Sequence, residues 1–187
     1  MPCVGALWKT ACAIGVSYEE LSVSLRLILM RHAKSSWADS SRPDHDRPLN
    51  TRGQRSAEAL GRWLKSAGYH PEQALCSTAT RTRETLSGLG LDTEAAFLPA
   101  LYHAREDTML KLLQQHGTHA TVLMLGHNPG VAFFAQTILA EPPMDDSFRL
   151  FPTGATAVID FECNTWAEVR FGCGRLQDFT VPRALLS

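Results

Sequence analysis

Apolar residues fall into two rhythms along this chain. Some form short unbroken runs that stop at polar residues. Others recur every three or four positions. Leu25–Arg31 (LRLILMR), Ala74–Ser77 (ALCS) and Ala120–Gly126 (ATVLMLG) are of the first kind, the pattern of strands buried on both faces. Residues 51–67 are of the second kind, with Ala57, Leu60, Leu64 and Ala67 on one helical face, a Thr51-x-x-Gln54 capping box and Gly68 as the stop. Thr80–Leu89 reads as a helix ended by Gly88 and Gly90. Arg105–His116 reads as a helix with Met109, Leu112 and Leu113 along one side, closed by Gly117. A further helix is predicted from Asn128-Pro129 through Ile138, with Asn as cap and Pro in the first turn. A short extended segment around Phe97 breaks at Pro99. Ala155–Glu162 and Trp166–Gly172 alternate and predict a hairpin across Cys163–Thr165.

Strand–helix alternation predicts an α/β fold, a three-layer sandwich with a mostly parallel central sheet flanked by helices and an antiparallel edge strand near the C-terminus. Residues 25–187 read as a single domain. Residues 1–24 read as a poorly ordered N-terminal extension, because the apolar patch Thr10–Val16 is followed by no small-residue cleavage pattern.

Composition narrows the function. The 187 residues carry a formal net charge of −1, so no overall basic field argues for nucleic acid or an acidic membrane surface. No apolar run approaches a membrane span. The five cysteines are scattered, with no C-x-x-C pair, and suit reduced thiols in a cytoplasmic compartment.

The candidate chemistry lies just beyond the apolar runs. Arg31 and His32 follow the first, Ser77, Thr78 and Arg81 the second, and His127 and Asn128 the third. In a parallel sheet these junctions open on one edge, where ligands of α/β folds bind. Two arginines, two histidines and a helix start make a cradle for a compact anion, and phosphate is the natural guest. Taken singly, an Arg or His after a strand is ordinarily a surface residue; the coincidence of three carries the reading. A metal site fits poorly, since Arg31 would repel a dication and no carboxylate stands at either histidine junction. A cysteine-based phosphatase fits no better. Cys76 and Arg81 are separated by four residues and Arg83 by six, where that chemistry needs five. Cys76 reads as a small buried residue at a strand end.

With these residues the chain resembles the histidine phosphatase superfamily. The matching stretches are RHA (Arg31–Ala33), STATRTRET (Ser77–Thr85) and GHNPG (Gly126–Gly130). RPLNTRG (Arg47–Gly53) and LFPTGATAVIDFE (Leu150–Glu162) narrow the likeness to SixA-type phosphohistidine phosphatases. The resemblance implies His32 as nucleophile, forming a phosphohistidine intermediate, with Arg31, Arg81 and His127 binding the phosphoryl oxygens and Asn128 beside them. It implies no metal and no cofactor. The larger members use a Glu or Asp as general acid. Glu106 and Asp107 fall in the corresponding region, though in the first turn of a helix, where acids favour the dipole without any catalytic task. Asp44 and Asp46 are further candidates. The expected substrate is phosphohistidine on a partner protein. Also open are a small-molecule phosphomonoesterase, a phosphoglycerate-mutase-like enzyme and a non-catalytic phosphate-binding adaptor.

Overall fold

The computed structural model describes residues 24–186, so the expectation for residues 1–23 and the cysteines at 3 and 12 lie outside the described residues. β1 (Ser24–Arg31) leads through a long loop, with a 3-10 turn at Asp44–Asp46, into α1 (Thr51–Ser66). β2 (Gln73–Ser77), α2 (Thr80–Leu89) and β3 (Glu94–Leu98) follow, then α3 (Glu106–His116), β4 (Thr121–Gly126) and α4 (Gly130–Ile138). α5 (Asp146–Leu150), β5 (Thr156–Glu162), β6 (Arg175–Thr180) and α6 (Pro182–Leu185) complete the described chain.

The strands form one sheet in the order β3-β2-β4-β1-β5-β6. The first four run parallel, while β5 is antiparallel to both β1 and β6. The α/β sandwich and the antiparallel pair at the C-terminal side agree with the pattern of the sequence.

The unbroken apolar strands feed two cores, one on each face of the sheet. Leu27, Leu29, Val122 and Met124 face the layer of α3 and α4, packing with Met109, Leu113 and Phe134. Ile28, Met30, Leu123 and Leu125 face α1 and α2, packing with Leu60, Leu64 and Leu89. Each such fully buried side chain contributes about 2 kcal/mol of transfer free energy, and that burial demands apolar residues at every strand position.

Three local expectations differ. The α1 cap is Asn50, whose side chain accepts from the Gly53 N–H at 2.8 Å, rather than a Thr51–Gln54 box; the helix starts at Thr51, so the capping oxygen comes from the residue before it. Gly90 ends α2 in the left-handed region at φ 59°, whereas Gly88 lies inside the helix, where a Cβ would crowd the Ala57 methyl. Trp166–Gly172 is not a strand. Trp166 opens a 3-10 turn held by a Thr165–Glu168 capping box, and its buried indole donates to the His119 carbonyl at 2.8 Å and packs edge-on against Phe161. The strand beside β5 comes later, at Arg175–Thr180, and α6 then folds back beside α1.

Candidate active site

The carboxyl ends of β2, β4 and β1 lie side by side. The register pairs Arg31 with Gly126, and the His32 N–H donates to the Gly126 carbonyl at 3.1 Å. His32 and His127 therefore leave neighbouring strands abreast, with ring centroids 5.1 Å apart.

His32 is 7% exposed, and its Nδ1 lies 2.7 Å from the Ala33 carbonyl. A carbonyl only accepts, so Nδ1 carries the hydrogen and Nε2 keeps its lone pair. Burial, and then the charges of Arg81, Arg31 and Arg47, push the imidazole down to about 4, against a partial opposing effect of the Ala33 bond. The ring is neutral at ordinary pH, as a nucleophile must be. The backbone behind it is fixed by Thr85, whose hydroxyl accepts from the Ala33 N–H at 3.0 Å and donates to the Arg81 carbonyl at 2.6 Å.

His127, 3% exposed, sits with Nε2 at 2.8 Å from the Ser77 hydroxyl. Burial first, then His32 and the Arg81 charge, lower it to about 2. In the tautomer in which Ser77 donates to Nε2, Nδ1 holds the hydrogen and has no partner for it among the described residues. Arg31 donates through Nη1 to the Phe151 carbonyl at 2.9 Å, and burial and the Arg81 charge lower its pKa. Among the described residues three buried side-chain polar atoms lack a partner: Arg31 Nε, His127 Nδ1 and Asn128 Oδ1. All three are in this cluster, and two are donors. Unpaired buried donors are costly; an anion would satisfy both.

Arg81, 3% exposed, is already engaged. Its Nη1 donates to the Asp44 carbonyl and its Nη2 to Asp44 Oδ2 at 2.9 Å. Asp44 also accepts from Arg47 Nη1 at 2.8 Å and from the Tyr102 hydroxyl at 2.7 Å, and His103 Nε2 stands 3.5 Å away. Burial would raise the Asp44 pKa. The Tyr102 and Arg47 hydrogen bonds and the Arg81 charge outweigh it and hold the carboxyl well below the usual carboxylate range.

Asn128 stands beside His127 but does not cap α4, which begins at Gly130; its amide donates to the Leu150 and Phe151 carbonyls at 2.9 and 3.2 Å. Glu106 and Asp107 occupy the first turn of α3, where Glu106 lies 3.9 Å from Arg105. No hydrogen bond among the described residues joins either to the cluster. Asp46 is exposed and neighbours His45, whose other nitrogen is 3.0 Å from the Thr78 hydroxyl. Cys76 is fully buried, and burial pushes its thiol up to about 12, which removes the thiolate alternative.

Three cluster members were not singled out from the sequence. Arg47 is 6% exposed and stacks under Trp37, 3.2 Å from the ring centroid. Tyr102 and His103 each lie 5.4 Å, centroid to centroid, from His127. The available signal was Arg47 inside RPLNTRG; nothing marked Tyr102 or His103 beyond following Pro99. No group of three or more His, Cys, Asp or Glu side chains among the described residues is arranged to hold a metal ion.

This arrangement has the shape and the free donors to hold a tetrahedral anion against a neutral imidazole. The histidine phosphatase superfamily (branch 1) profile matches residues 27–102. An uncharacterized protein of Mycobacterium tuberculosis, Rv1276c, is 38% identical over 160 residues, spanning 82% of this chain and all of that one. A solved structure from Nakamurella multipartitia, provisionally assigned as the phosphohistidine phosphatase SixA, is 31% identical with a TM-score of 0.74, covering 85% of this chain and 96% of that one. The protein histidine phosphatase SixA complexed with tungstate is 25% identical with a TM-score of 0.69, covering 86% and 99%. Extending over nearly the whole of these relatives and their fold, the chain belongs to the histidine phosphatase superfamily and is a phosphatase.

Proposed function

We propose that the protein removes phosphate from phosphohistidine on a partner protein, without a metal, through a phosphoenzyme on His32. The His32 Nε2 lone pair attacks phosphorus while the bond from phosphorus to the substrate nitrogen breaks, and the departing imidazole takes up a proton. Water then attacks the His32 phosphoryl group, releasing inorganic phosphate and restoring the neutral ring. Arg31, Arg81 and His127 offset charge on the oxygens during both displacements. The observation that carries this reading is the Nδ1–H bond to Ala33, which leaves Nε2 free beside two unpaired donors. Residues 25–187 act here as one catalytic domain. Free thiols at Cys76, Cys163 and Cys173 suit a cytoplasmic setting.

The substrate is tested by comparing kcat/KM for a phosphohistidine peptide with that for small alkyl phosphomonoesters. The peptide is expected to lead by about tenfold or more. The opposite ranking would favour the small-molecule phosphomonoesterase.

For the proton donor the geometry favours His103 over Glu106 and Asp107. Its backbone sits at φ 52°, a strained setting for a non-glycine residue, its ring faces His127, and Asp44 stands behind it. Strain of this kind costs about 1–3 kcal/mol and concentrates at functional sites. His103→Ala is expected to slow an alkyl phosphate, whose leaving group needs a proton, by about a hundredfold. It should barely affect p-nitrophenyl phosphate, whose leaving group does not. Equal slowing of both would assign the proton elsewhere.

A further inference from the structure

The carboxyl edge of the sheet carries a second positive surface that the chemistry at His32 does not use. Lys34, Arg52 and Arg183 line a groove of about 300 Å3 between the start of α1, the loop after α5 and α6. Arg55, one turn further along α1, adjoins it with Arg52 and Arg183. All four side chains are exposed. Among the described residues none lies within 4.0 Å of a carboxylate, and none of these side chains donates a hydrogen bond. Two acids beside the groove wall are occupied, and Glu58 on α1 lines a different pocket, with Glu84. Asp145 caps α5 through the Phe148 N–H at 2.9 Å, and Asp146 lies 3.3 Å from Arg149. In a chain of net charge −1, four unpaired cations gathered from three segments are a local concentration that composition does not produce.

Topology ties the groove to the active site. β6 runs parallel to β1, so α6 emerges on the edge where His32 stands, and β5 begins there. Lys34 is two residues beyond His32, and its carbonyl accepts from the Asn50 N–H at the head of α1. Leu150, Pro152 and Thr153 form one groove wall, and Phe151 between them accepts from Arg31 on the other side. From the end of β1 to that of β6 is two strand spacings, about 10 Å. Leu150, 69% exposed, with Val181 and Pro182 adds an apolar strip beside the charges.

We propose that this groove docks an acidic segment of the phosphorylated protein, a few residues from its phosphohistidine. The proposal rests on the phosphohistidine reading above and adds to it the charge of the partner. About 10 Å corresponds to about three extended residues, so carboxylates three to five positions from the phosphohistidine reach the groove while the phosphoryl group meets His32. Exposed charge pairs of this kind steer encounter and set partner choice, and they weaken as salt rises.

The test uses two synthetic phosphohistidine peptides, one with aspartates at the third to fifth positions after the phosphohistidine and one with lysines there. The full chain and its Arg52→Gln/Arg55→Gln/Arg183→Gln variant act on both, with p-nitrophenyl phosphate as a third substrate. The unaltered chain is expected to prefer the aspartate peptide by about tenfold in kcat/KM at low salt, chiefly through KM. The variant should lose that preference and retain its rate on p-nitrophenyl phosphate, and high salt should erase the difference between the proteins. Arg55→Glu alone should give a smaller loss in the same direction. Equal use of the two peptides by the unaltered chain overturns the docking proposal, as does a preference that survives the triple substitution. A chain that turns over p-nitrophenyl phosphate but neither peptide overturns the phosphohistidine reading itself.

Discussion

His32→Ala is expected to yield a protein with no phosphoenzyme and with turnover reduced by about 10⁴-fold or more, the scale seen when a covalent nucleophile is removed. No neighbour can substitute. His127 holds Nε2 at the Ser77 hydroxyl, and its Nδ1 is buried without a partner among the described residues. His103 lies one ring farther out, with no direct ring contact to His32. The measurement is rapid-quench trapping with labelled substrate, followed by acid and base treatment. A phosphohistidine label is lost in acid and kept in base. A trapped label of the same stability in His32→Ala, at the parental rate of phosphate release, would end the assignment of His32. The substitution removes one small polar ring at a loop, so the variant should fold, and its thermal unfolding checks that directly.

Arg81→Ala is expected to cost about 3 kcal/mol of transition-state stabilisation, roughly a hundredfold or more in kcat/KM. Arg81→Lys should recover only part of this, because an ammonium cannot reproduce the planar fork. Arg81 also differs from the other cluster cations in being the main counter-charge of Asp44. Its removal leaves Asp44 with Arg47 and Tyr102, so the carboxyl pKa should rise and the loop around Asp44–Asp46 loosen. A double-mutant cycle with Asp44→Asn separates the two effects. If Arg81 acted only as an anchor for that loop, adding Arg81→Ala to Asp44→Asn would cost no more than the loss of its bond to the Asp44 main-chain carbonyl. A remaining loss of about the full amount assigns the effect to the phosphoryl group.

Why some of this site could be read along the chain, and some could not, follows from where each residue stands. Arg31, Ser77 and His127 end or follow strands whose burial on both faces forces unbroken apolar runs. A polar residue at the end of such a run marks the carboxyl edge of a parallel sheet, and adjacent strands bring those ends together. Asp44 reaches Arg81 from a loop 37 residues away in sequence, and Tyr102 reaches Asp44 in turn across 58. Loops carry no periodicity, so neither approach has a local signature. Trp166 misled for a related reason: an aromatic among alternating residues suits a strand, but here the indole is buried against Phe161 and Gly117. Asn128-Pro129 resembled a helix start because both residues favour one, yet the Asn amide is drawn to the Leu150 and Phe151 carbonyls instead.

If Arg81 binds the phosphoryl group as proposed, the Asp44 carboxylate turns anion capture there into anion exchange. The guanidinium does not wait bare; its charge is answered by a side chain tethered nearby, so an incoming group must supply more than the carboxylate already does. A monoanion that displaced Asp44 would return the same unit of charge and forfeit the Tyr102 and Arg47 hydrogen bonds. A dianionic phosphoryl group brings an additional unit, with oxygens for Arg31 and His127 besides. On that reading, when phosphate departs the carboxylate is at hand to take its place, and the buried arginine keeps a compensating charge.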